Sequence, residues 1–325
     1  MTFDISAFRN LHILVVGDLM IDEYVWGDVD RISPEAPVPV VRVMRENFTL
    51  GGAGNVINNI KAMKASVSVI GTAGCGKTGK QLLAKLDELG VETDGIVREP
   101  FRPTTRKTRV IASSQQVLRI DRETKENVSS ETFDRIRNLL KEKTASADLV
   151  IISDYCKGLV TKELVSSVAE LAREHGIFCL ADPKGMNFSK YENVHVLTPN
   201  RKETGLASGM EINRIDDLIP AGEKILESAR LEKLLVTCGK DGMLLFEKDK
   251  PPFRIESTAR QVFDVSGAGD TVISILGLCL AADASFRQSA ETANAAAGIV
   301  VGKVGTATAT VEELTEALKS NPGKS

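Results

Sequence analysis

The sequence predicts an α/β fold in which helices cover both faces of a mostly parallel β-sheet. Two observations favour it: short apolar runs rich in β-branched residues recur along the chain, and segments with helical apolar spacing separate them. Strands that alternate with helices form βαβ units, and the strands of such units run parallel. A third observation, two extended segments that interrupt the alternation, predicts a small β lid beside the sheet.

The predicted strands are apolar runs that end in polar residues or glycine. They are residues 11–18, 65–71, 148–154, 176–183, 194–200 and 232–239, and helical spacing marks residues 54–64, 79–90 and 161–176. Ligands of parallel sheets bind beyond the carboxyl ends of the strands. The polar residues at those ends are therefore the first candidates for chemistry.

Two segments lack helical periodicity: residues 22–50 contain several prolines, and residues 101–122 alternate apolar and basic positions. Both are predicted to form antiparallel strands outside the main sheet. No internal repeat, low-complexity tract or linker divides the sequence. We therefore expect residues 1–325 to form a single domain that carries the lid.

The composition argues against several classes of protein. The chain has 325 residues, and 41 Lys and Arg against 44 Asp and Glu give a net charge of −3. This balance predicts neither a nucleic-acid surface nor an anionic-membrane surface. The five cysteines are widely spaced, which favours neither a disulfide framework nor a zinc site. No secretory signal opens the sequence, and its longest apolar stretch, residues 272–282, is too short to span a bilayer, so the expected compartment is the cytoplasm.

The segment FDVSGAGDT precedes a strongly apolar predicted helix. Gly267, Ala268 and Gly269 place small residues at the start of that helix, where unpaired amides and the helix dipole form an anion site. Asp270 falls in the first turn, where a carboxylate can take a proton from an attacking hydroxyl while the amides stabilise a transferred phosphoryl group. The alternative is an aspartate that stabilises the helix start, with glycines that allow tight packing.

A second Gly-rich turn, GGAGNVINN, also leads into a predicted helix. Gly51 and Gly52 would let the backbone approach a ligand, and Asn55 can both donate and accept hydrogen bonds, as sugar hydroxyls require. Asp18 and Asp22 follow the first predicted strand, where their carboxylates could accept from sugar hydroxyls. The alternatives are a capped helix start for the turn and an ordinary polar strand end for the aspartates.

Asn200 and Glu203, in TPNRKET, stand three residues apart just after a predicted strand. On a helix that starts there they share a face and could hold hydrated Mg²⁺, which prefers oxygen ligands. The alternative is a capping box, the reciprocal hydrogen bonding of a helix cap and the third helical residue. VTCGKDG, at residues 236–242, is another strand-to-glycine turn, which could pass under a nucleotide.

GTAGCGKT, at residues 71–78, fits the spacing of a P-loop, in which backbone amides wrap phosphates. Lys77 would then contact the phosphates and Thr78 the Mg²⁺ ion. A P-loop NTPase is therefore one alternative function. The other interpretation is a Gly-rich strand-to-helix turn with a surface lysine.

Taken together, these motifs resemble those of the ribokinase-like carbohydrate kinases, the PfkB family. GGAGN, NRKE, VTCGKDG and DVSGAGD occur in the family's order over nearly the whole chain, with D-V-S-G-A-G-D in place of the usual D-T-G-A-G-D. The resemblance implies a ribokinase-like fold with a β lid, ATP as co-substrate, Mg²⁺ and room for a monovalent cation. The roles it implies are Asp270 as catalytic base, Gly51, Gly52 and Asn55 at the sugar, and Asn200 and Glu203 at Mg²⁺ through water.

The resemblance also implies that ATP binds through the C-terminal motifs, which disfavours the P-loop interpretation. The residues that it assigns to ATP are Asn200, Arg201, Lys202, Glu203, Thr237, Gly239 and Gly242.

Three further segments, RISPEAPVPVV, ADPKG and TPNRKE, resemble kinases of D-glycero-β-D-manno-heptose 7-phosphate. This implies transfer of phosphate from ATP to the anomeric 1-hydroxyl, which gives the 1,7-bisphosphate for ADP-heptose and lipopolysaccharide core synthesis. No H-x-G-H motif of a fused nucleotidyltransferase occurs, so the stand-alone kinase form is expected. The alternatives are a PfkB-type kinase for another sugar, sugar phosphate or nucleoside, and a sugar-binding module without catalysis.

A basic cluster without one acidic residue favours a phosphorylated substrate: Arg102, Arg106, Lys107 and Arg109. Lys184, in ADPKG, is a further candidate contact for a phosphate or a nucleotide. The alternative for the cluster is a solvated edge strand protected by charge. Because exposed β edges tend to be covered, we also expect a homodimer through the lid.

Overall fold

The computed structural model describes residues 4–112, 115–259, 261–303 and 305–320, and these ranges contain 13 strands and nine α-helices. The strands are β1 (His12–Gly17), β2 (Leu19–Ile32), β3 (Pro39–Gly52), β4 (Ser66–Gly74), β5 (Ile96–Glu99), β6 (Thr105–Ala112), β7 (Gln115–Arg122), β8 (Leu149–Ser153), β9 (Phe178–Asp182), β10 (Val196–Leu197), β11 (Lys233–Thr237), β12 (Met243–Glu247) and β13 (Phe253–Ile255). The helices are α1 (Ala53–Ala62), α2 (Lys77–Glu88), α3 (Ser130–Thr144), α4 (Lys162–Glu174), α5 (Arg201–Ser208), α6 (Leu218–Ser228), α7 (Ala268–Ala281), α8 (Phe286–Val300) and α9 (Val311–Ser320).

Nine strands form the main sheet in the order β13-β12-β11-β10-β9-β8-β1-β4-β5. The pairs of β12 with β11 and with β13 are antiparallel, at one edge of the sheet. All other neighbouring pairs are parallel. The predicted α/β class with a mostly parallel sheet is confirmed.

The main sheet is buried on both faces because alternate residues of its central strands point to opposite sides. In β1, Ile13 and Val15 belong to one apolar cluster, and Leu14 and Val16 belong to the other. Residues of α1, α2, α7, α8 and α9 complete the first cluster, and residues of α3, α4 and α6 complete the second. α7 is apolar nearly all round because it packs against α1, α8 and the sheet strands β8 and β9.

The two non-helical segments form a separate four-stranded sheet, the lid, in the order β3-β2-β6-β7. The hairpins β2–β3 and β6–β7 are antiparallel, but β2 and β6 pair parallel, with Met20 beside Thr105 and Gly27 beside Ala112. The prediction of antiparallel strands throughout is wrong at this pair. The reason is topological: the chain runs from β3 through α1, β4, α2 and β5 before β6 returns beside β2 in the same direction.

The first two lid strands also extend closer to the main sheet than the predicted bounds of 22–50. β2 begins at Leu19, two residues after β1 ends, and β3 continues to Gly52, directly before α1. The lid is therefore attached at the carboxyl-terminal edge of the main sheet. No helix in the described ranges has the length and apolar character that crossing a bilayer requires.

Candidate active site

The candidate site lies at the carboxyl ends of the parallel strands, where ligands of such sheets bind. β1 ends just before Asp18, β8 just before Asp154, and β9 at Asp182. The lid leaves the main sheet at the same edge. The N-terminus of α7 lies at this edge too, since Asp270 accepts a hydrogen bond from Tyr155 in the loop after β8.

Asp270, in the first turn of α7, is buried and accepts two side-chain hydrogen bonds. Its Oδ2 accepts from Nδ2 of Asn55 and its Oδ1 accepts from the hydroxyl of Tyr155, each at 2.8 Å. Burial raises the pKa of this carboxyl to about 6, although the two donors and Lys184 act in the opposite direction. A carboxylate with a pKa near neutrality is suited to take up a proton at physiological pH, as a general base does.

α7 begins at a glycine turn in which the three residues predicted to form an anion site have different surroundings. Gly267 has a φ of 79°, and a Cβ there would lie 2.5 Å from Nδ2 of Asn55. At Gly269, no described protein atom outside the helix and the adjoining chain lies within 4 Å of the position of a Cβ. The amide of Ala268 donates to the carbonyl of Val265 at 3.3 Å. Of the three residues predicted to form an anion site, Gly269 is therefore the most exposed.

Asn55 stands at the start of α1, behind a turn that glycine makes readily. Gly52 precedes α1 with a φ of 58°, and a Cβ on it would lie 2.5 Å from the carbonyl oxygen of Asp18. A Cβ on Gly51 would lie 2.3 Å from Oδ2 of Asp22. Oδ1 of Asn55 is buried and receives no hydrogen bond from any described group. It is an acceptor to which a ligand hydroxyl could donate.

The loop after β8, which carries Tyr155, is fixed by two buried carboxylates. The carboxylate of Asp18 accepts the amide of Tyr155 at 2.8 Å and the amide of Lys157 at 3.1 Å. The carboxylate of Asp154 accepts the amide of Cys156 at 2.7 Å. Burial, with Asp154 nearby, raises the pKa of Asp18 to about 6. Asp18, a predicted sugar ligand, is thus bonded to the loop backbone in this structure.

Two lysines approach the ring of Tyr155 from different elements. Nζ of Lys107, on lid strand β6, lies 5.2 Å from the ring centroid, and Nζ of Lys184, in the loop after β9, lies 5.7 Å from it. Lys184 forms an ion pair with Glu203. Burial opposes its charge, but Asp182 and Glu203 outweigh burial and raise the pKa of Lys184. Burial lowers the pKa of Lys107.

The arginines of the predicted basic cluster are paired with carboxylates. β2 runs beside β6, so the acidic residues of β2 lie next to the basic residues of β6. Charges that are largely removed from water require such partners. Lys107 is the member of the cluster for which no described carboxylate lies within ion-pair distance. The pairs are Arg106 with Glu23, Arg109 with Asp22, and Arg102, before the lid, with Glu99.

Asn200 and Glu203 form a reciprocal capping box at the start of α5. Oδ1 of Asn200 accepts the amide of Glu203 at 3.0 Å, and Oε2 of Glu203 accepts the amide of Asn200 at 2.9 Å. Oε1 of Glu203 is bound by Lys184. These contacts occupy the oxygens that would coordinate Mg²⁺ directly, and the described residues contain no group of three or more His, Cys, Asp or Glu suited to a metal. A hydrated ion held through water would have to use the remaining lone pairs of these oxygens.

The other residues predicted to bind ATP lie around the ends of β10 and β11. Thr237 is the last residue of β11 and forms a bridge with Asn200. Nη1 of Arg201 lies 3.5 Å from the carboxylate of Asp241, in the turn after β11. The remaining three are Lys202, which is exposed, and Gly239 and Gly242, which have positive φ in that turn.

The P-loop-like stretch GTAGCGKT continues a strand instead of wrapping a ligand. β4 extends to Gly74 and α2 begins at Lys77, so only two residues separate them. The amides of Gly71 and Gly74 already donate, to a carbonyl at 3.3 Å and to the hydroxyl of Thr104 at 2.8 Å. Amides used in this way cannot wrap a phosphate. The P-loop interpretation is wrong for this reason.

A cavity of about 590 Å³ lies beside α8 and α9, next to the loop that leads into α7. Phe263 lines it and precedes Asp264, whose carboxylate accepts the amides of Ser266 at 2.9 Å and Gly305 at 3.1 Å. The sequence analysis assigned no role to this cavity. Its apolar lining includes Phe263, Ala295, Ile299 and Ala317.

Sequence reasoning missed Tyr155, Asp154 and Asp182. Asp154 and Asp182 lie at the ends of predicted strands, so the rule for the carboxyl ends of parallel strands could have found them. Tyr155 gave no such signal. Its hydroxyl meets Asp270 across 115 residues of sequence, and only the folded chain shows that contact.

Comparison with known proteins gives a match over most of the chain. A family model described as "pfkB family carbohydrate kinase" matches residues 10–313. The chain belongs to this family. It is a carbohydrate kinase, as the motifs predicted, and membership of this kinase family implies that ATP is the co-substrate.

Among curated relatives, the PfkB chain is 53% identical over 321 residues to the "Bifunctional protein HldE" of Desulfatibacillum aliphaticivorans. The aligned region covers 99% of this chain and 66% of that protein. It is 46% identical over 306 residues to the protein of the same name from Geobacter metallireducens, and this alignment covers 94% of this chain and 62% of that protein. The chain thus spans less than two thirds of the length of these relatives.

Solved structures show the same PfkB-type fold. The ribokinase of Arabidopsis thaliana, complexed with ribose and ATP, superposes with a TM-score of 0.76 at 21% identity and covers 95% of this chain and 99% of its own. Phosphofructokinase-2 from Escherichia coli, in complex with fructose-6-phosphate, superposes with a TM-score of 0.77 at 20% identity and covers 96% of this chain and 100% of its own. The predicted ribokinase-like fold is confirmed.

Proposed function

We propose that this kinase transfers the γ-phosphoryl group of ATP to the anomeric 1-hydroxyl of D-glycero-β-D-manno-heptose 7-phosphate, which gives the 1,7-bisphosphate and ADP. The observation that carries the proposal is the buried carboxylate of Asp270 at the open helix start, bonded to Asn55 and Tyr155. The heptose is supported by the curated relatives named HldE, at 44–53% identity, and by the segments that resemble heptose 7-phosphate kinases.

The proposed reaction begins with the sugar against Asn55 and Asp270. A free oxygen lone pair of Asp270 accepts the proton of the 1-hydroxyl, the hydroxyl oxygen bonds to the γ-phosphorus, and the bond to the bridging oxygen breaks so that ADP leaves. The amide of Gly269 and the dipole of α7 stabilise the charge on the transferred group. Mg²⁺, when bound through water near Glu203, would neutralise charge on the ATP phosphates.

The 7-phosphate is proposed to bind Lys107. Three neighbouring arginines are held by carboxylates, whereas the ammonium of Lys107 faces Tyr155, whose hydroxyl is bonded to the proposed base. Burial already disfavours the charge of Lys107, so a phosphate dianion there would gain a poorly solvated partner. The sugar would then extend from the lid to Asp270.

The nucleotide is proposed to extend from the start of α7 to the 590 Å³ cavity, which lies next to the loop that leads into that helix. Its triphosphate would lie over Gly269 and point toward Lys184, and its base would enter among Phe263, Ala295 and Ile299. Apolar side chains suit an adenine ring, since it buries two apolar faces.

A homodimer through the lid is also proposed. The lid exposes several large apolar side chains, and exposed sheet edges favour pairing with another chain. These side chains include Ile32, Val43, Met44, Val117 and Leu118.

The function is tested by measuring ADP release across matched substrates. We expect turnover with the heptose 7-phosphate and little with the same heptose without its phosphate. Phosphorus NMR of the product should show a new phosphate on C1. Equal activity on the unphosphorylated heptose, or preference for fructose 6-phosphate, ribose or adenosine, would overturn the proposed substrate and favour the kinase of another sugar.

A further inference from the structure

We propose that Tyr155 is a positioning residue that aims the carboxylate of Asp270 and keeps it in the form that accepts a proton. The inference rests on the proposed role of Asp270 as the base. Tyr155 lies in the loop after β8, outside the glycine-rich motifs that carry Asn55 and Asp270.

The first argument is the geometry of the carboxylate. Each oxygen of Asp270 has one fixed donor at 2.8 Å, the hydroxyl of Tyr155 on Oδ1 and the amide of Asn55 on Oδ2. Two donors on the two oxygens fix the plane of the group and leave each oxygen a second lone pair for a substrate hydroxyl. Without the tyrosine hydroxyl, a single hydrogen bond from Asn55 would hold the carboxylate, which could then turn about its Cβ–Cγ bond.

The second argument is the balance of charge around Asp270. Burial favours the protonated form, and Asp22, on β2, and Asp182, on β9, act in the same direction. Lys184, after β9, favours the ionised form, as do the hydrogen bonds from Asn55 and Tyr155. A hydrogen bond to the charged form lowers a carboxyl pKa. Tyr155 is therefore one of the few groups that keep this buried base ionised near neutral pH.

The third argument is that Tyr155 can act only as a donor. Burial, with Asp270 beside it, raises the pKa of the phenol well above its ordinary value. The phenol stays protonated throughout the working range, so it cannot replace Asp270 as the base. Its hydroxyl always presents a proton to the carboxylate.

The fourth argument is the rigidity of the support. The amide of Tyr155 is bonded to Asp18 at 2.8 Å, and its ring lies 5.2 Å from the ammonium of Lys107 and 5.7 Å from that of Lys184. The ring thus contacts the lid through Lys107 and the loop after β9 through Lys184. A side chain fixed in this way can hold a catalytic group within the narrow geometry that catalysis requires.

The test is Tyr155→Phe, which keeps the ring and removes the hydroxyl. The carboxyl of Asp270 is titrated in the substrate-free enzyme by carbon-13 NMR of labelled aspartate, with Asp270→Asn to assign the signal. We expect the midpoint to rise from about 6 to about 7, since a hydrogen bond to a charged group is lost. With substrate, kcat near pH 7 should fall about tenfold or more, chiefly because the carboxylate is no longer aimed at the hydroxyl, since a midpoint near 7 still leaves about half of it ionised. The acid limb of kcat/KM should shift by the same interval as the midpoint, and the sugar KM should change by less than about threefold.

The control is Tyr191→Phe, which removes a 2.5 Å tyrosine–aspartate hydrogen bond to Asp154 and the hydroxyl that accepts the amide of Lys184, while Lys184 keeps its ion pair with Glu203. This variant should leave the midpoint of Asp270 in place. If Tyr155→Phe leaves that midpoint unchanged, or shifts it no more than Tyr191→Phe does, the inference is overturned. A shifted midpoint in an enzyme that rejects the heptose phosphate would support the inference and count against the proposed substrate alone.

Discussion

Nδ2 of Asn55 lies 2.8 Å from Oδ2 of Asp270, although 215 residues of sequence separate the two. A second bond reinforces the contact: the hydroxyl of Thr271 donates to Oδ1 of Asn59 at 2.8 Å. The two glycine-rich turns, one proposed for the sugar and one for the phosphoryl group, are thereby joined as one unit. A buried carboxylate at this junction has consequences for both stability and activity.

The first prediction concerns stability and pH at Asp270. Its pKa is about 6 in the folded protein against an ordinary 3.8, so between these values the folded state binds the proton more tightly than the unfolded chain. The free energy of unfolding therefore falls as the pH rises through this window and stays lower above it. Asp270→Asn removes the charge and should raise the free energy of unfolding by up to about 3 kcal/mol near pH 8, with no gain below about pH 4.

Urea unfolding of the two proteins at several pH values measures this difference. The control is Asp264→Asn, because hydrogen bonds from Ser266 hold the pKa of Asp264 below its ordinary value despite some burial. The free energy of unfolding of that variant should be lower than that of the native protein above pH 4, a change opposite in sign to that of Asp270→Asn. An effect of Asp270→Asn that is the same at every pH would contradict the prediction.

The second prediction concerns the ion pair of Arg106 with Glu23. Glu23 is 2% exposed, so Arg106→Met would leave its carboxylate buried without a charged partner. We expect a loss of about 3 kcal/mol or more in the free energy of unfolding, largely recovered when Glu23→Gln is added. The control Arg42→Met breaks exposed pairs with Asp28 and Asp30 and should cost little. Equal effects of the two single variants would contradict a buried role for the pair.

How far the site could be predicted from the sequence depended on the range of each contact. Asp270, Asn55 and Glu203 were predicted because each stands in a local motif whose spacing is typical of a helix start. The pairing of Arg106 depended instead on the parallel register of β2 and β6, which no local pattern encodes. The cluster that looked uniformly basic in sequence is therefore mostly neutralised in the folded lid.

The third prediction follows from that neutralisation and concerns Lys107. Lys107→Met should raise the KM for the sugar phosphate by about 10- to 100-fold, the loss expected for one charge-assisted hydrogen bond, and change kcat less. Steady-state kinetics measures both constants. Arg119→Met, at an exposed lid cation paired with Asp121, is the control and should leave the KM unchanged. A normal KM in the Lys107 variant would remove this residue from the phosphate site.

The fourth prediction concerns assembly through the lid. Light scattering should give twice the 35.1 kDa of one chain for the native protein, and Met44→Glu should shift it toward a single chain, because a charge would enter the apolar contact. Phe101→Glu is the control, since Phe101 is fully exposed but lies outside the four lid strands. A native protein of one-chain mass, or dissociation by Phe101→Glu alone, would contradict a lid dimer.

The most direct test of the account is the turnover of Asp270→Asn with heptose 7-phosphate and ATP, alongside calorimetric binding of the sugar phosphate. Loss of a general base typically costs 10²–10⁴ in rate, and the asparagine keeps the shape of the carboxylate. We expect kcat to fall by about that factor while the affinity for the sugar phosphate stays within about threefold of the native value. Near-native turnover in a folded Asp270→Asn protein would contradict the assignment of Asp270 as the base.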